Sequence, residues 1–555
     1  MKKRLLGFIT LVMAVITLTA CGDFKLEETE KVDPNRTQLY VQNFKGGFGV
    51  DWLYAVKARF EDFYKNESFT EGKKGVQIMI SDAKVDGINL RTSNIGNSEV
   101  FFNESVYYYD FLGDDWLLDI TDAITTPLTE YGENESILDK MTNEQIEYYN
   151  VDGKYYGIPH YAGYNGIIYD VKVFEDNLLY FKDSNESIFL INEDDKKSKG
   201  PDGKYDTYDD GLPATYEEFF ILCDYMVELG ITPFVWAGEY YNTYIEKVMN
   251  ALCVDFEGLE QTMLNYTFRG TATNIINPVE KDGTYTYMFG SEGVEITPEN
   301  GYLLWASEGK YKSLSFFDRV VKNSDYCTTL SYSPSLLYKD AQKDFLESTP
   351  KGKPIAMILE GCWWENEAKD EIAAISDYYG KQYARENREF SMMPLPKADE
   401  SKIGTKTTII DTHYSLGFVK ASIAEEKIDL AKKFLRFCCT DESLSEFTVS
   451  TNTVKALNFD LSDDDYNKLT YFGKSVYDLH NTSEIVYPYS NEAIYLDNQS
   501  TLSIHNSYGS KIGAKEETHP ITYFRSSSKN NAIDYFNGMI IYNQDRWERV
   551  FGDYK

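Results

Sequence analysis

Hydrophobic and polar positions follow a strand–helix–strand pattern over residues 38–80. Residues 38–43 (QLYVQN) predict a strand, and residues 51–64 carry apolar side chains three and four positions apart, as an amphipathic helix does. A second apolar run at residues 76–80 predicts the next strand. Glycines at 46, 47 and 49 stand where the first strand gives way to the helix.

The same alternation returns later in the chain. Thr215 and Glu218 have the spacing of a helix capping box, and Gly230 stands where that helix needs its C-terminal cap. Residues 231–236 (ITPFVW) then predict a strand, and residues 424–439 predict another amphipathic helix. Strands alternating with helices throughout indicate an α/β architecture.

The N-terminus has the pattern of an export signal. Cations at residues 2–4 precede an apolar segment from Leu5 to about Leu18, which is too short for a stable membrane span. The following residues 18–21 (LTAC) resemble the bacterial lipobox, which implies cleavage before Cys21 and acylation of its thiol. Residues 1–20 are therefore predicted to be a lipoprotein signal peptide and residues 21–36 a flexible tether, with an uncleaved signal anchor as the alternative.

Composition narrows the range of partners. The formal net charge of −34 argues against binding to nucleic acid or to an anionic lipid surface. Aromatic residues make up 15% of the chain and include 45 tyrosines, which suit sugar rings and also suit ordinary exposed strands. The six cysteines after Cys21 show neither CxxC nor zinc-site spacing, so we expect buried free thiols.

An acidic segment at residues 192–211 is the one candidate for metal binding. Four aspartates there could offer oxygen ligands to calcium, but their spacing does not match the EF-hand loop. A solvated turn explains the segment as well, so we predict no metal and no cofactor. The four side chains are Asp202, Asp206, Asp209 and Asp210.

Several sequence fragments, taken in order, resemble one protein family. They are residues 152–159 (DGKYYGIP), 164–170 (YNGIIYD), 212–219 (LPATYEEF), 351–363 (KGKPIAMILEGCW), 393–396 (MPLP) and 430–435 (LAKKFL). Each is weak alone, but their order over nearly the whole mature chain resembles the family 1 extracellular solute-binding proteins of carbohydrate ABC transporters, the maltose-binding-like group.

This resemblance implies a two-lobed, periplasmic-binding-protein-like fold of type II, with a hinge and a central ligand cleft. Residues 37–168 with about 405–478 would form lobe 1, and residues 169–404 with about 479–555 would form lobe 2. The implied function is capture of a carbohydrate, an oligosaccharide being favoured, by hinge closure and its delivery to ABC transporter permease subunits. The resemblance further implies a monomer outside the cytoplasm, held to the cell membrane through lipidated Cys21.

The chain is longer than the simplest members of that family, because it has insertions around residues 175–211 and 270–310 and a tail after about residue 480. They could reshape or cap the cleft.

The resemblance also carries over to candidate ligand contacts. Trp363 falls on the family's cleft tryptophan, while its neighbour Trp364 could bind ligand or pack inside. Trp236 ends a second-lobe strand where a ligand contact or a core position is possible, with Glu239 and Tyr240 just beyond it.

In the first lobe, Gly47 and Trp52 would lie at the mouth of the cleft, although a tight turn explains the glycine equally well. Loops after strands bind ligands in α/β sheets, which points to the segment after residues 99–101. That segment contains Asn103 and Glu104. His160 and Tyr164 stand just before the strand that would cross between the lobes, and His160 could contact the sugar or have a structural role.

Other functions have weaker support in the sequence. A secreted glycoside hydrolase cannot be argued from carboxylates, because 89 of them make chance pairs inevitable. The chain has no HExxH, GxSxG or Walker motif, so we predict no enzyme. The same scaffold could instead hold a peptide, polyamine or other small solute. A surface adhesin would need repeats or a wall-spanning region, and the sequence shows neither.

Overall fold

The computed structural model describes residues 30–90, 98–184, 187–505, 508 and 518–554. The predicted signal peptide, Cys21 and most of the predicted tether lie outside these residues. Within them, no helix has the length and apolar character needed to cross a membrane.

Strands β1 to β15 span Thr37–Asn43, Val76–Ser81, Val100–Asn103, Ile158–Pro159, Tyr161–Ala162, Asn165–Asp170, Thr232–Val235, Gly270–Ala272, Val294–Ile296, Ile355–Gly361, Phe390–Met393, Thr408–Ile410, Leu416–Val419, Val454–Lys455 and Glu484–Val486. Helices α1 to α19 span Asp51–Phe63, Gly87–Leu90, Tyr108–Gly113, Thr121–Thr125, Asn143–Tyr149, Val171–Asp176, Tyr216–Glu228, Tyr241–Thr267, Glu308–Lys322, Tyr338–Ser348, Trp364–Glu367, Lys369–Tyr379, Ile428–Phe437, Asp441–Thr451, Asp463–Lys468, Tyr471–Thr482, Ala493–His505, Pro520–Ser526 and Ala532–Phe551.

Two sheets organise the molecule. The first has the order β2-β1-β3-β13-β4, with β1 parallel to β2 and β3, and with β13 antiparallel to β3 and β4. The second has the order β11-β6-β10-β7, with β10 parallel to β7 and antiparallel to β6. We call the first sheet with its helices lobe 1 and the second lobe 2. The mixed α/β class predicted from the sequence is thus confirmed, while the residue boundaries of the lobes stay a prediction.

Local sequence signals correctly predicted several of the observed elements. The predicted first helix is α1, and the left-handed backbone of Gly230 (φ +75°) follows α7 as expected. The capping box at α7 is only half formed: Thr215 accepts the N–H of Glu218, whereas the Glu218 carboxylate accepts the N–H of Ala214. The predicted helix 424–439 is shorter, because a 3₁₀ turn at Glu425–Lys427 precedes α13.

The acidic segment folds as a hydrogen-bonded turn. The Asp209 carboxylate accepts the backbone N–H of Asp202 and the hydroxyl of Thr207, and Asp210 accepts the N–H of Asp206. Burial raises the pKa of Asp209 to about 6. In the part of the chain that the structure describes, no group of three or more His, Cys, Asp or Glu side chains is placed to hold a metal ion.

The cysteines after Cys21 are buried and free, as expected. The end of the C-terminal tail packs on lobe 2, where α18 lies against α9 and α8, and α19 lies against α9. Nearer its start, Tyr489 stacks instead on Tyr148 of α5. The tail also reaches the groove between the lobes, because Nε2 of His519 lies 2.7 Å from the carboxylate of Glu246 on α8. The long tail therefore supports one wall of that groove.

Candidate functional site

A cavity of about 400 Å³ lies between the lobes. We call it the inner compartment. Its walls come from the end of β3, from one face of α8, and from the segment that joins β12 to β13. The lining residues are Glu104, Ser105, Thr243, Glu246, Lys247, Asn250, Tyr266, Thr412, His413 and Tyr414.

A second cavity of about 320 Å³, here called the outer compartment, also has walls from both lobes. Lobe 1 supplies the glycine-rich turn after β1 and the start of α1. Lobe 2 supplies the start of α10 and the short helices after β10. The lining residues include Gly46, Gly47, Tyr54, Tyr338, Lys339, Asn366 and Glu367.

Trp363 lies between these compartments. Strand β10 ends at Gly361, and the corner that follows directs the partly exposed indole of Trp363 towards lobe 1. A β-carbon on Gly47 would lie 1.9 Å from Cδ1 of this indole, so the two can meet only because Gly47 has no side chain. The ring also makes an edge contact with His413, at 4.5 Å between centroids.

His413 lines the inner compartment with a neutral ring. Its Nδ1 lies 3.2 Å from the carbonyl oxygen of Gly163, which fits donation by Nδ1–H and leaves Nε2 unprotonated. Burial and the nearby charge of Lys247 lower the pKa of His413 to about 3, so the ring is neutral. The Asp411 carboxylate accepts the backbone N–H groups of Gly163 and His413 and so holds this segment in place.

Charged groups of both signs line the inner compartment. Burial lowers the pKa of Lys247 and raises that of Glu104. The Lys247 ammonium stands 5.7 Å from the centre of the Trp363 ring, and the hydroxyl of Tyr161 donates to Glu104. Burial also raises the pKa of Glu360, behind the groove, to about 8. A hydroxyl-rich ligand could therefore find donors, acceptors and an aromatic face in one place.

The structure places two of the predicted tryptophans in the core. Trp236 is fully buried in lobe 2, with its ring 5.3 Å from that of Tyr332. Trp364 is fully buried as well and packs edge-on against Phe390 and Phe472. The packing alternative therefore holds for both, and neither presents a surface to the groove.

Four predicted contacts in lobe 1 are also interior. Trp52 and His160 are buried together, and Asn103 belongs to β3 rather than to the loop after it. The side-chain amide of Asn103 donates to the carbonyl oxygen of Val85 and accepts the backbone N–H of Glu104. Tyr164 is buried with its hydroxyl 2.8 Å from Nδ1 of His480.

Two of the remaining predicted residues line the groove and two do not. Glu104 lines the inner compartment and Gly47 lines the outer one. Glu239 and Tyr240 precede α8, where the Tyr240 side chain is 54% exposed, and neither lines either compartment.

Sequence reasoning missed the polar face of α8. Lys247 and Asn250 line the inner compartment from one side of this helix, and His413 faces them from a distant segment. The polar residues among apolar ones in α8 were the available signal, but a solvent-exposed helix face has the same pattern.

No protein-family model matches the chain, and no curated protein matches it. Solved structures resemble it at low sequence identity. "SBP RafE in complex with raffinose" aligns at a TM-score of 0.52 and 14% identity, over 91% of this chain and 98% of that one. A "chitin oligosaccharide binding protein" aligns at 0.54 and 16%, over 93% and 99%.

The GacH receptor of Streptomyces glaucescens, studied unliganded and with acarbose, aligns at a TM-score of 0.50 and 11% identity, over 94% of this chain and 100% of that one. These alignments extend over almost the full length of both partners, so they concern the whole architecture rather than one lobe. The chain therefore has the two-lobed, periplasmic-binding-protein-like fold of solute-binding proteins.

Proposed function

We propose that this protein is a lipid-anchored, extracytoplasmic solute-binding protein. It captures a carbohydrate between its lobes and delivers it to the permease of an ABC transporter. It changes no covalent bond in its ligand. The observation that carries the proposal is the inner compartment, which Lys247, Glu104 and the neutral ring of His413 line, and the indole of Trp363 contacts that histidine at its edge.

The composition of this compartment supports a sugar. A pyranose ring has apolar C–H faces that stack on aromatic rings, and a rim of hydroxyls that must be hydrogen-bonded when buried. Lys247 supplies only donors, Glu104 accepts when it is ionised, and Asn250 supplies both donors and acceptors. Solved proteins that share the fold also support a sugar ligand, since one was solved with raffinose, one is a chitin oligosaccharide binding protein and one was studied with acarbose.

Hinge closure would couple binding to transport. Polar contacts already join the lobes beside the outer compartment: Asn366 donates to the carbonyl oxygen of Gly47 at 2.9 Å, and Lys369 pairs with Asp51. A ligand that contacts both lobes adds to these and favours the closed form, which a permease could then distinguish from the open one.

A thermal-shift screen tests the proposal. The purified protein is heated with raffinose, chitin oligosaccharides and malto-oligosaccharides, and separately with peptides and polyamines. A bound sugar at a hundred times its dissociation constant should stabilise the protein by about 2.7 kcal/mol. Stabilisation only by peptides or polyamines would assign the scaffold to another solute, and new reducing ends in the sugar samples would indicate a hydrolase.

A further inference from the structure

The C-terminal tail meets the inner compartment at Glu246. This residue lies on α8 and lines the compartment, and its side chain is 20% exposed. Both of its carboxylate oxygens contact the tail. Oε1 accepts the backbone N–H of Tyr508 at 3.0 Å, and Oε2 lies 2.7 Å from Nε2 of His519. The tail therefore fixes the direction of a carboxylate that borders the space between the lobes.

The hydrogen bonds of His519 place its hydrogen on Nε2. Its Nδ1 accepts the backbone N–H of Ile521 at 3.3 Å and so caps α18. A neutral imidazole has one donor nitrogen and one acceptor nitrogen, so an Nδ1 that accepts leaves the hydrogen on Nε2. Nε2 can then donate to Glu246, because an ionised carboxylate only accepts. One imidazole thus caps a tail helix with one nitrogen and holds a compartment residue with the other.

A carboxylate held in one direction suits a ligand site. A free glutamate side chain has several rotamers, and a ligand that needs one of them binds at the entropic cost of selecting it. Hydrogen bonds from the tail select the rotamer of Glu246 before the ligand binds. A carboxylate has about four acceptor positions, so either oxygen of Glu246 can accept a ligand hydroxyl in addition to its bond from the tail.

We infer that His519 is a positioning residue for the ligand site. It orients Glu246, and this carboxylate accepts a hydrogen bond from the ligand in the inner compartment. The inference rests on the proposed function and adds two residues to it, a ligand contact on α8 and the tail residue that supports it. It gives the tail after about residue 480 a role in binding.

The contact also has a simpler explanation, which is that it only docks the tail on α8. Thr522 makes a contact of that kind, because its hydroxyl hydrogen-bonds the side-chain amide of Asn242, an α8 residue that lines neither compartment. The two explanations differ in what depends on His519. Docking affects stability alone, whereas positioning affects affinity and acts through Glu246.

Two substitutions at residue 519 separate the roles of the two nitrogens. His519→Asn keeps an acceptor that can cap α18, but its side chain is too short to reach Glu246. Its melting temperature should stay near that of wild type, while its affinity should fall by roughly 2- to 13-fold, the equivalent of ordering one flexible side chain. His519→Gln places an amide N–H near the position of Nε2. It should keep the affinity within twofold and lower the melting temperature, because the cap is lost.

Titration calorimetry with raffinose, malto-oligosaccharides and chitin oligosaccharides measures the dissociation constants, and scanning calorimetry measures the melting temperatures. Thr522→Ala is the matched control, because it removes a contact between the tail and α8 away from both compartments. Its affinity should stay within twofold of wild type.

A double-mutant cycle tests whether His519 acts through Glu246. Glu246→Ala should weaken binding of the same sugars, because it removes the acceptor. His519→Asn added to Glu246→Ala should cause no further loss of affinity, since the side chain that it positions is already absent. Equal losses in both backgrounds, or a His519→Asn variant that binds like wild type, would overturn the inference and leave the proposed function intact. If the wild type binds none of these sugars, both fail.

A second measurement needs no ligand. Nitrogen chemical shifts from NMR distinguish protonated from unprotonated imidazole nitrogens, and the signals that disappear in His519→Asn belong to His519. We expect a protonated Nε2 and an unprotonated Nδ1. An unprotonated Nε2 would overturn the inference, because no hydrogen would then join His519 to Glu246.

Discussion

Nζ of Lys455 lies 2.7 Å from Nδ1 of His160 in the interior of lobe 1, and both side chains are buried. Three aromatic rings surround the lysine, with those of Trp52 and Phe447 at 4.2 and 4.4 Å from the nitrogen. Over the ranges that the structure describes, no carboxylate comes within ion-pair distance of Lys455. Burial lowers the pKa of Lys455 to about 7 and holds that of His160 well below its usual value.

This arrangement predicts a pH-dependent stability. Between the folded pKa of about 7 and the unfolded value of about 10.5, the unfolded state binds the proton of Lys455 and the folded state does not. The free energy of unfolding should therefore rise with pH across this window, by up to about 1.4 kcal/mol per unit from this group. Urea unfolding of wild type and Lys455→Met from pH 7 to 10 measures the difference in slope.

The variant Lys455→Met should be more stable than wild type near pH 7 and should lose that advantage as the pH rises. Lys381→Met removes an exposed lysine and serves as the control, with a slope like that of wild type. Parallel slopes for wild type and Lys455→Met would show that Lys455 is charged in the folded protein.

Trp363→Ala should remove most of the ligand-induced thermal shift while the unliganded protein melts close to wild type. The reason is that the indole is partly exposed in the groove and its main contacts are with the other lobe. Differential scanning calorimetry with and without the best sugar of the screen gives both values. A large drop in the unliganded melting temperature would instead assign Trp363 to the core.

Trp364→Ala should behave in the opposite way. Its indole is fully buried against Phe390 and Phe472, so truncation leaves a cavity and should lower the free energy of unfolding by about 3–5 kcal/mol. The dissociation constant for sugar, measured below the melting transition, should stay within about threefold of wild type. A variant that is stable but no longer binds would place Trp364 in the ligand site.

Asn366→Ala should weaken ligand binding because it removes a contact between the lobes, and not because it removes a contact with the ligand. The amide donates across the groove to the carbonyl oxygen of Gly47. A hydrogen bond that exists only in the closed form contributes a net free energy of about 0.5–1.5 kcal/mol to closure. Its loss should therefore lower the affinity by roughly 2- to 13-fold. Lys369→Ala removes a more exposed inter-lobe ion pair and should have a smaller effect. Calorimetry compares the two, and unchanged affinity in Asn366→Ala would mean that ligand binds without this closure.

Cys21→Ser should release the protein from the membrane. The thioether needs the cysteine sulfur, and acyl chains provide the only predicted attachment. Cell fractionation measures release from the membrane, and incorporation of labelled palmitate measures the loss of acylation. A variant that stays in the membrane fraction without label would point to an uncleaved signal anchor.

Several elements could be predicted because their signals are local. The spacing of Leu53, Val56, Phe60 and Phe63 predicts one apolar face, and α1 buries the first three while Phe63 stays 49% exposed. Gly230 follows α7 in the left-handed region that glycine adopts without steric cost. The order of weaker fragments over the whole chain led further, to the two-lobed fold.

Which side chains meet in the groove depends on how distant parts of the chain pack, and local signals do not show it. Trp363 and Trp364 are neighbours in sequence, yet one faces the groove and the other the core, because the chain turns from β10 into α11 between them. Lys247 and His413 line the same cavity although they are 166 positions apart in the sequence. Periodicity and capping act over a few residues, and for that reason several elements and the α/β class of the fold could be predicted from the sequence alone. Which residues line the site depends on the direction of each side chain and on the packing of distant elements, and short sequence patterns show neither.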